Sequence, residues 1–496
     1  MVTRGALSFE RLHSPLPNLV EVLDSGTRST ENCYIVMPQP IPRRRSYKKL
    51  AGWSTSRVTA RTVALWFCLV LSIHLVAIVI RQVYQTFAGT SSTGLLQIAF
   101  AAARDASACR LKYGKSQLGA LLRDCNRNRR GLFIQALTIP FDTALFQRPQ
   151  HMAIAFAKAG YLVLYLTGTK DTQNREQFLQ VRSGLFLSSV DSHQSLGILP
   201  NIHGAVVSFY STISAINFAQ VELSQLRGRG NILLYEYIDD ISPQISTETS
   251  QLLENYKHVS LDTFDLFAAS SRNLHAMMMR DKSMKSEQIV YAPNAVNYED
   301  YGHGISSPSP RGKLRARFNS IKRPIVGYFG ALAPWLWYEL INNLTATMTD
   351  FDFVMIGPDY LGGSKLLIER ENLHITGAVD YKYLRYFARR FDVALIPFAP
   401  GPIAETTSPL KLFEYFALGK PVVAPSFMLE CTAFDVVLHA ASSEEFALQI
   451  RRAFELRQDV DYLSRLDVHA RQNTWDQRAQ TIMSAYERVK PRDNLR

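Results

Sequence analysis

Residues 405–423 read ETTSPLKLFEYFALGKPVV, and this stretch says more about the fold than any other part of the 496-residue chain. Ser408 is a favourable helix N-cap, and Pro409 suits the first helical position. Gly419 is typical of the residue just after a helix, and Pro421 cannot continue one. The pattern therefore predicts a helix that begins after a loop and is followed at once by a strand.

The start of this helix has the chemistry of a diphosphate site. Free N–H groups and the helix dipole attract phosphate there, and Lys411 adds a full positive charge in the first turn. Glu414 lies three residues on and shares the face, where a carboxylate is placed to accept hydrogen bonds from paired ribose hydroxyls. The alternative is a plain amphipathic helix with Lys411 and Glu414 in solvent.

Apolar runs typical of β-strands alternate with helical stretches along most of the chain. The runs stand at 131–136, 161–166, 204–209, 231–237, 265–270 and 288–293, and then at 324–330, 351–357, 373–377, 392–398 and 421–425. A Ser/Pro/Gly-rich connection at 302–312 divides them into two series. Such alternation predicts α/β architecture, with two doubly wound, Rossmann-like domains that face a cleft. Ligands bind such sheets beyond the carboxyl ends of the strands. The absence of a G-x-G-x-x-G motif and of a P-loop argues against a dehydrogenase or an ATPase.

Composition and patterning divide the chain into six parts. We predict a basic, largely disordered tail at 1–60, a transmembrane or membrane-embedded helix at 61–81, a basic helical linker at 82–130, an N-terminal domain at 131–305, a C-terminal domain at 313–475, and a final helix and tail at 476–496. Hydrophobic residues make up 47% and charged residues 20%, which excludes a disordered or fibrous protein. The 5 cysteines are too few for a disulfide scaffold and show no zinc-site spacing.

The N-terminal quarter indicates membrane attachment. Residues 1–130 hold 19 Lys/Arg against 6 Asp/Glu, whereas residues 131–496 hold 36 against 37, so the net charge of +12 comes from the first part. Residues 62–80 are 19 residues without formal charge, and as a helix they would extend roughly 28 Å, about the thickness of a hydrocarbon core. A buried core helix is the alternative. The stretch lies too far from residue 1 for a signal peptide.

The flanks of this segment are basic. The tail carries Arg at 43–45 and Lys at 48–49, which suits anionic lipid headgroups, and a nucleic-acid or nuclear-localisation arm is the competing interpretation. Residues 95–122 have helical periodicity with interspersed basic residues. They predict either a basic amphipathic helix on the membrane surface or a linker helix.

Three charged residues of the N-terminal domain are candidates for chemistry. Asp239 and Asp240 follow a predicted strand at its carboxyl end, where a carboxylate can act as general base toward an acceptor hydroxyl. Capping of the following turn is the alternative, and the sequence does not choose between the two aspartates. Arg148 lies in the first strand–helix loop, where a guanidinium could bind donor phosphate or acceptor, or could be an ordinary surface residue.

The helix sequence resembles the donor-binding signature of GT-B glycosyltransferases. It is most similar to the glycogen-synthase-like group that builds bacterial polysaccharides. Segments of the same group are matched in the same order by FQRPQH (146–151), YEYIDDIS (235–242), APNAVN (292–297), GYFGAL (327–332) and GPD (357–359). The resemblance covers roughly residues 131–490. It implies an N-terminal acceptor domain and a C-terminal domain that holds a nucleotide-sugar donor.

The resemblance also implies roles for particular residues. Glu414 would bind the ribose, and Lys411 with the helix start would bind the diphosphate. The remaining donor-binding candidates are Ser408, Pro409, Leu410, Thr406 and Gly330. No metal is implied, because no Asp-x-Asp motif of the metal-dependent transferase type is present and the helix start with Lys411 can neutralise the diphosphate.

Two positions depart from the group. The group usually carries two glutamates separated by seven residues, but Thr406 stands where the first is expected, and Glu405 is one place off. The loop after Gly330 usually supplies an Arg and a Lys to the leaving phosphates, and here it reads ALAPW (331–335). These departures leave open whether transfer retains or inverts the anomeric centre.

We therefore expect a membrane-attached glycosyltransferase that moves a sugar from a nucleotide-diphosphate donor to a saccharide or lipid-linked saccharide acceptor, with no cofactor. The alternative is a non-catalytic nucleotide- or carbohydrate-binding module of the same fold. Expected partners are the donor, the acceptor and membrane lipids, but not nucleic acid.

The membrane topology is a separate question. Basic residues close to the hydrophobic segment favour folded domains outside the cytosol. The supply of nucleotide sugars in bacteria favours the cytoplasmic face, which we expect, with a eukaryotic Golgi protein as the alternative.

Overall fold

The computed structural model describes residues 114–143, 146–167, 178–188, 202–210, 220–240, 261–281, 284–302, 308–310 and 312–490. These residues belong to one compact unit, 91–496. The predicted tail, the hydrophobic segment at 62–80 and most of the linker lie outside the described residues. Within the described ranges, no helix is both long and apolar enough to cross a membrane.

Eight strands form the first sheet. They are β1 (Leu132–Thr138), β2 (Leu162–Thr167), β3 (Phe178–Arg182), β4 (Leu185–Ser188), β5 (Ala205–Tyr210), β6 (Ile232–Tyr237), β7 (Leu266–Ala269) and β8 (Ile289–Tyr291), in the spatial order β3-β4-β2-β1-β5-β6-β7-β8. All neighbouring pairs are parallel except β3 and β4.

Both faces of this sheet are buried, which explains why its central strands read as continuous apolar runs. In β1, Ile134 enters the core on one face and Phe133 enters the core on the other. The helices of this part are α1 (Gly114–Asn128), α2 (Arg148–Lys158), α3 (Gln220–Gly228), α4 (Arg272–Arg280) and the single turn α5 (Tyr298–Tyr301). Of the predicted 95–122 helix, the described portion is helical and runs on to Asn128.

Six parallel strands form the second sheet. They are β9 (Ile325–Phe329), β10 (Asp352–Ile356), β11 (Leu373–Gly377), β12 (Val393–Leu395), β13 (Val422–Pro425) and β14 (Val437–Ala440), in the order β11-β10-β9-β12-β13-β14. Its helices are α6 (Lys313–Asn319), α7 (Tyr338–Thr347), α8 (Tyr381–Ala388), α9 (Pro402–Thr406), α10 (Leu410–Ala417), α11 (Leu429–Thr432), α12 (Ser443–Leu456) and α13 (Val460–Arg471). The prediction of a mixed α/β fold with parallel sheets is confirmed for the described residues.

The last helix, α14 (Trp475–Val489), returns to the first sheet. Trp475, Ala479, Ile482 and Met483 lie in the same apolar cluster as Phe156 of α2. A capping box at Thr474 begins this helix. The chain therefore crosses between the two sheets twice among the described residues, once after β8 and once before α14.

Three strands were not predicted from the sequence. In β3, the side chains of Gln180 and Arg182 lie at the surface of an edge hairpin, so the strand lacks an apolar run. β4 is the second strand of that hairpin, and His439 interrupts the apolar pattern of β14. Every strand that the sequence predicted is present.

Candidate functional site

The helix α10 begins one residue later than the sequence predicts. Its N-cap is Pro409, which provides no side-chain cap, and Ser408 precedes it. The Ser408 hydroxyl instead accepts a hydrogen bond from the Asn294 backbone N–H at 3.1 Å. The predicted end is confirmed, because Gly419 has a φ of 63° and the Lys420 N–H donates to the Tyr415 carbonyl, as in a Schellman motif.

Lys411 projects from the first turn of α10 into an aromatic enclosure. Its Nζ lies 5.3 Å from the ring centroid of Tyr328, in β9, and 5.0 Å from that of Phe398, which follows β12. Within the described residues Lys411 forms no hydrogen bond or ion pair. Burial therefore lowers the pKa of Lys411 to about 8, and the charges of Glu414 and Asp239 only partly oppose the shift.

Gly330 lies beside this lysine at the carboxyl end of β9. Its φ of 141° favours glycine, and a Cβ at this position would lie 3.0 Å from Cε of Lys411. Gly357, after β10, approaches the Gly330 carbonyl so closely that a Cβ would be 1.9 Å from it. The two glycines keep the backbone close to the lysine without filling the space around it.

Glu414 is 2% exposed and is in contact with tyrosine side chains. The Tyr381 hydroxyl donates to its Oε1 at 3.0 Å. Burial raises the pKa of Glu414 to about 8, although the tyrosine hydrogen bonds and Lys411 oppose the shift. The Tyr381 ring also stacks on Phe146, with centroids 4.9 Å apart and planes at 21°, so this contact links α8 to the loop before α2.

The two candidate aspartates point to different partners. Asp239 Oδ1 accepts a hydrogen bond from the Thr407 hydroxyl at 3.1 Å, next to α10. The side chain of Asp240 interacts with Tyr237. Burial raises the pKa of Asp239 to about 6, with Thr407, Arg148 and Lys411 acting in the opposite direction. Asp239 is thus the aspartate that faces the start of α10.

Thr406 occupies the position where the resembling group carries a glutamate. It is 7% exposed, its hydroxyl donates to the Pro402 carbonyl at 2.7 Å, and it accepts from the Asp240 backbone N–H at 3.3 Å. The neighbouring Glu405 is exposed, and its carbonyl accepts from the Asn273 side chain. Thr406 therefore ties α9 to the end of β6.

The start of α10 meets the first half of the molecule at Asp239 and Asn294, and this contact region is here called the junction. Arg148 is 3% exposed and is therefore buried rather than open to the junction. Its Nε donates to Glu236 Oε2 at 2.8 Å, and Nη1 donates to the Ala292 carbonyl at 2.8 Å and to Asn294 Oδ1 at 3.4 Å. Leu410, another predicted site residue, is half-buried against the apolar cluster of α2 and α14.

Several residues at this junction were not predicted from the sequence. They are Tyr381, Tyr301, Tyr328, Phe398, Thr407, Glu236 and Asn294. Asn294 and Glu236 could have been predicted, because both belong to segments of the resemblance. Glu236 is in addition a charged residue in an apolar strand. Tyr381 and Phe398 carry no comparable signal.

A second polar contact joins the two halves of the molecule away from α10. Glu430 is 3% exposed, and its Oε1 accepts from the Arg272 backbone N–H at 2.6 Å. Its Oε2 accepts from the Tyr291 hydroxyl at 2.6 Å.

Across the described part of the chain, no group of three or more His, Cys, Asp or Glu residues is arranged to hold a metal ion.

Comparison with known proteins agrees with this architecture. Among solved structures, a sucrose-phosphate synthase from Thermosynechococcus elongatus is similar over 73% of this chain and 99% of its own, with 16% identity and a TM-score of 0.52. HepE of Anabaena, in complex with UDP and glucose, is similar over 72% of this chain and 99% of its own, with 15% identity and a TM-score of 0.50. The fold is GT-B, as the resemblance implied.

One curated relative is similar in sequence. The chain is 28% identical over 162 residues to the putative teichuronic acid biosynthesis glycosyltransferase TuaH of Bacillus subtilis strain 168. The match covers 32% of this chain and 40% of the length of that relative. No family model matches the chain.

Proposed function

We propose that the chain is a glycosyltransferase that moves a sugar from a nucleotide-diphosphate donor to an acceptor hydroxyl, in the synthesis of a surface polysaccharide or glycolipid. The observation that carries the proposal is Lys411. Its ammonium group lies between two aromatic rings and has no ion pair in the described structure. Such a group destabilises the fold unless an anion binds to it. Its place in the first turn of α10, at the positive end of the helix dipole, suits a diphosphate.

The rest of the junction supports the same chemistry. Asp239 lies beside Thr407, close enough to Lys411 for their charges to interact, so a carboxylate stands next to the proposed diphosphate. We infer that Asp239, rather than Asp240, takes the proton from the acceptor hydroxyl. With a pKa of about 6, it is largely ionised at neutral pH and suited to a general base.

The proposed ribose contact at Glu414 shares the carboxyl group with Tyr381. The Tyr381 hydroxyl donates to Oε1, and a carboxylate has further acceptor sites on its two oxygens for ribose hydroxyls. Similarity to a HepE structure that contains UDP makes UDP a reasonable first probe for the nucleotide. Similarity to a protein named for teichuronic acid biosynthesis supports a polysaccharide as the product.

The test replaces Lys411 by Met and measures UDP affinity by calorimetry. Loss of a charge-assisted contact of about 1.5–3 kcal/mol should weaken UDP binding roughly ten- to hundredfold. Without ligand, Lys411→Met should be at least as stable as the parent, because it removes a half-buried charge that has no ion pair in the described structure. Parent affinity should also fall above pH 8, where Lys411 loses its proton.

Lys420→Met is the matched control. Lys420 is likewise half-buried, with its pKa lowered to about 8, but its Nζ donates to the Arg389 carbonyl at 2.6 Å. This variant should lose stability and keep UDP affinity. Equal UDP affinity in Lys411→Met and the parent would refute the donor site. Binding without sugar transfer to any acceptor would favour the non-catalytic module instead.

We also propose attachment through the segment at 62–80, with the folded part on the cytoplasmic face. The support is the sequence pattern and the cytosolic supply of nucleotide sugars. A single cysteine at position 460 of a cysteine-free variant suits a labelling test, because Val460 is 78% exposed. Labelling by an impermeant thiol reagent only after cells are opened is expected, and labelling of intact cells would contradict the placement.

A further inference from the structure

A chain of buried polar side chains runs from the first sheet to the start of α10. It begins at Ser208 of β5, whose hydroxyl donates to Glu236 Oε1 at 2.6 Å. Glu236 is fully buried in the neighbouring strand β6, and its Oε2 accepts from Arg148 Nε at 2.8 Å. A charge pair enclosed this completely keeps its geometry, because separation would leave an unpaired charge in the core.

The other end of this chain reaches the donor helix through Asn294. Arg148 Nη1 donates to Asn294 Oδ1 at 3.4 Å. The Asn294 side-chain amide donates to the Ser408 carbonyl at 2.6 Å, and its backbone N–H donates to the Ser408 hydroxyl at 3.1 Å. Ser408, Asn294, Arg148, Glu236 and Ser208 therefore form one continuous series of hydrogen bonds, here called the relay.

The start of α10 has no side-chain cap of its own and is held instead by its contact with Asn294. Pro409 is the N-cap and supplies no side-chain hydrogen bond. Ser408, the residue before it, is instead held on both its carbonyl and its hydroxyl by a residue of the other half of the molecule. Fixing Ser408 fixes the direction of the first turn, and with it the position of Lys411.

We propose that Arg148 and Asn294 are positioning residues for the donor site, acting on Lys411 through Ser408, and that Arg148 does not bind the donor phosphate. This inference rests on the proposed function, since it concerns the same site. It assigns a role to Glu236, a charged residue in an otherwise apolar strand.

Direct phosphate binding by Arg148 makes a different prediction. Arg148 Nη2 is buried and has no hydrogen-bond partner, so the guanidinium retains one group that a ligand could use. If Arg148 bound phosphate itself, its loss and the loss of Asn294 would weaken the donor independently. If Arg148 acts through Asn294, the two losses overlap.

A double-mutant cycle separates the two. The variants are Asn294→Ala, the charge-free pair Arg148→Gln with Glu236→Gln, and their combination. The paired change avoids leaving Glu236 as an unpaired buried charge. Each should weaken UDP binding about tenfold, and the combination should be no more than about twofold weaker than either. Losses that multiply to about a hundredfold would overturn the relay in favour of direct contact.

Amide hydrogen exchange tests the relay without any ligand. The peptide over 409–417 should exchange about tenfold faster in Asn294→Ala and in the charge-free pair than in the parent. Arg227→Gln is the control, because Arg227 of α3 pairs at 2.7 Å with Asp265, just before β7, and no described contact links this pair to α10. Unchanged exchange over 409–417 in both relay variants would overturn the inference. A parent that binds no UDP while these amides respond would instead contradict the proposed function alone.

Discussion

Replacement of Asp239 by Asn should raise stability and remove activity together. The pKa of Asp239 is raised from the ordinary 3.8 to about 6 because the carboxylate is desolvated. A carboxyl group with a raised folded-state pKa holds its proton more tightly in the folded state. The stability it contributes is therefore fully present below pH 3.8 and is lost as the pH rises through about 6.

The size of the effect follows from the shift. One pKa unit corresponds to 1.36 kcal/mol, so a rise of about two units corresponds to about 3 kcal/mol at most. Asn cannot ionise, and its carbonyl oxygen can still accept from the Thr407 hydroxyl. Allowing for partial solvent access, we expect Asp239→Asn to be about 2 kcal/mol more stable than the parent at pH 7.5.

Denaturant unfolding of ligand-free protein at pH 7.5 and near pH 4 measures this difference. The gain should be present at pH 7.5 and nearly absent at the lower pH. Sugar transfer should fall by at least about a hundredfold, as for loss of a general base, while UDP affinity stays within about threefold. The parent's kcat/KM should rise with pH through about 6.

Asp350→Asn provides a control of opposite sign. Arg451 donates to Asp350 at 2.7 and 3.1 Å and lowers its pKa, so that this variant should lose rather than gain stability at pH 7.5. The reasoning fails if Asp239→Asn is less stable than the parent at pH 7.5, or if it transfers sugar at the parental rate.

Two further substitutions probe the same site. Glu414→Gln should weaken UMP and UDP about equally, by roughly tenfold, since its proposed partner is the ribose; calorimetry that finds UDP alone affected would contradict the assignment. Gly330→Ala should weaken UDP binding because its Cβ would press on the Tyr328 hydroxyl and on Lys411 Cε, whereas Gly401→Ala, with a similar φ of 147° and nothing within 4 Å, should cost stability only. Equal UDP affinity in the two glycine variants would show that the approach to Lys411 is unimportant.

The fold was predictable where burial on both faces makes a strand apolar throughout. β1, β5 and β9 are examples, since almost every side chain in them is buried. The same argument explains the omission of β3, which pairs on one side only and exposes polar side chains. Edge strands carry a weaker pattern because fewer of their side chains enter a core.

The site was predictable where its residues are close in sequence. Lys411 and Glu414 lie within one helix turn of each other, and both lie at the junction. Contacts between distant segments were not predictable: Tyr381 is 33 residues from Glu414, and Asn294 is 114 residues from Ser408. Even the N-cap shifted by one residue for this reason, because the Ser408 hydroxyl serves a distant backbone N–H instead of its own helix.

Arg148 shows how a sequence can identify an important residue and still leave its role open. A guanidinium after the first strand of such a sheet suggests ligand binding, since ligands lie at that edge. What the sequence does not reveal is that Glu236, the penultimate residue of β6 and 88 positions from Arg148 along the chain, supplies a fully buried carboxylate. Once that pair forms, the position of the guanidinium is fixed, and its Nη1 donates to Ala292 and Asn294. The same arginine then acts on the donor helix through its neighbours, which is why the coupling between Arg148 and Asn294, rather than the loss of either alone, decides its role.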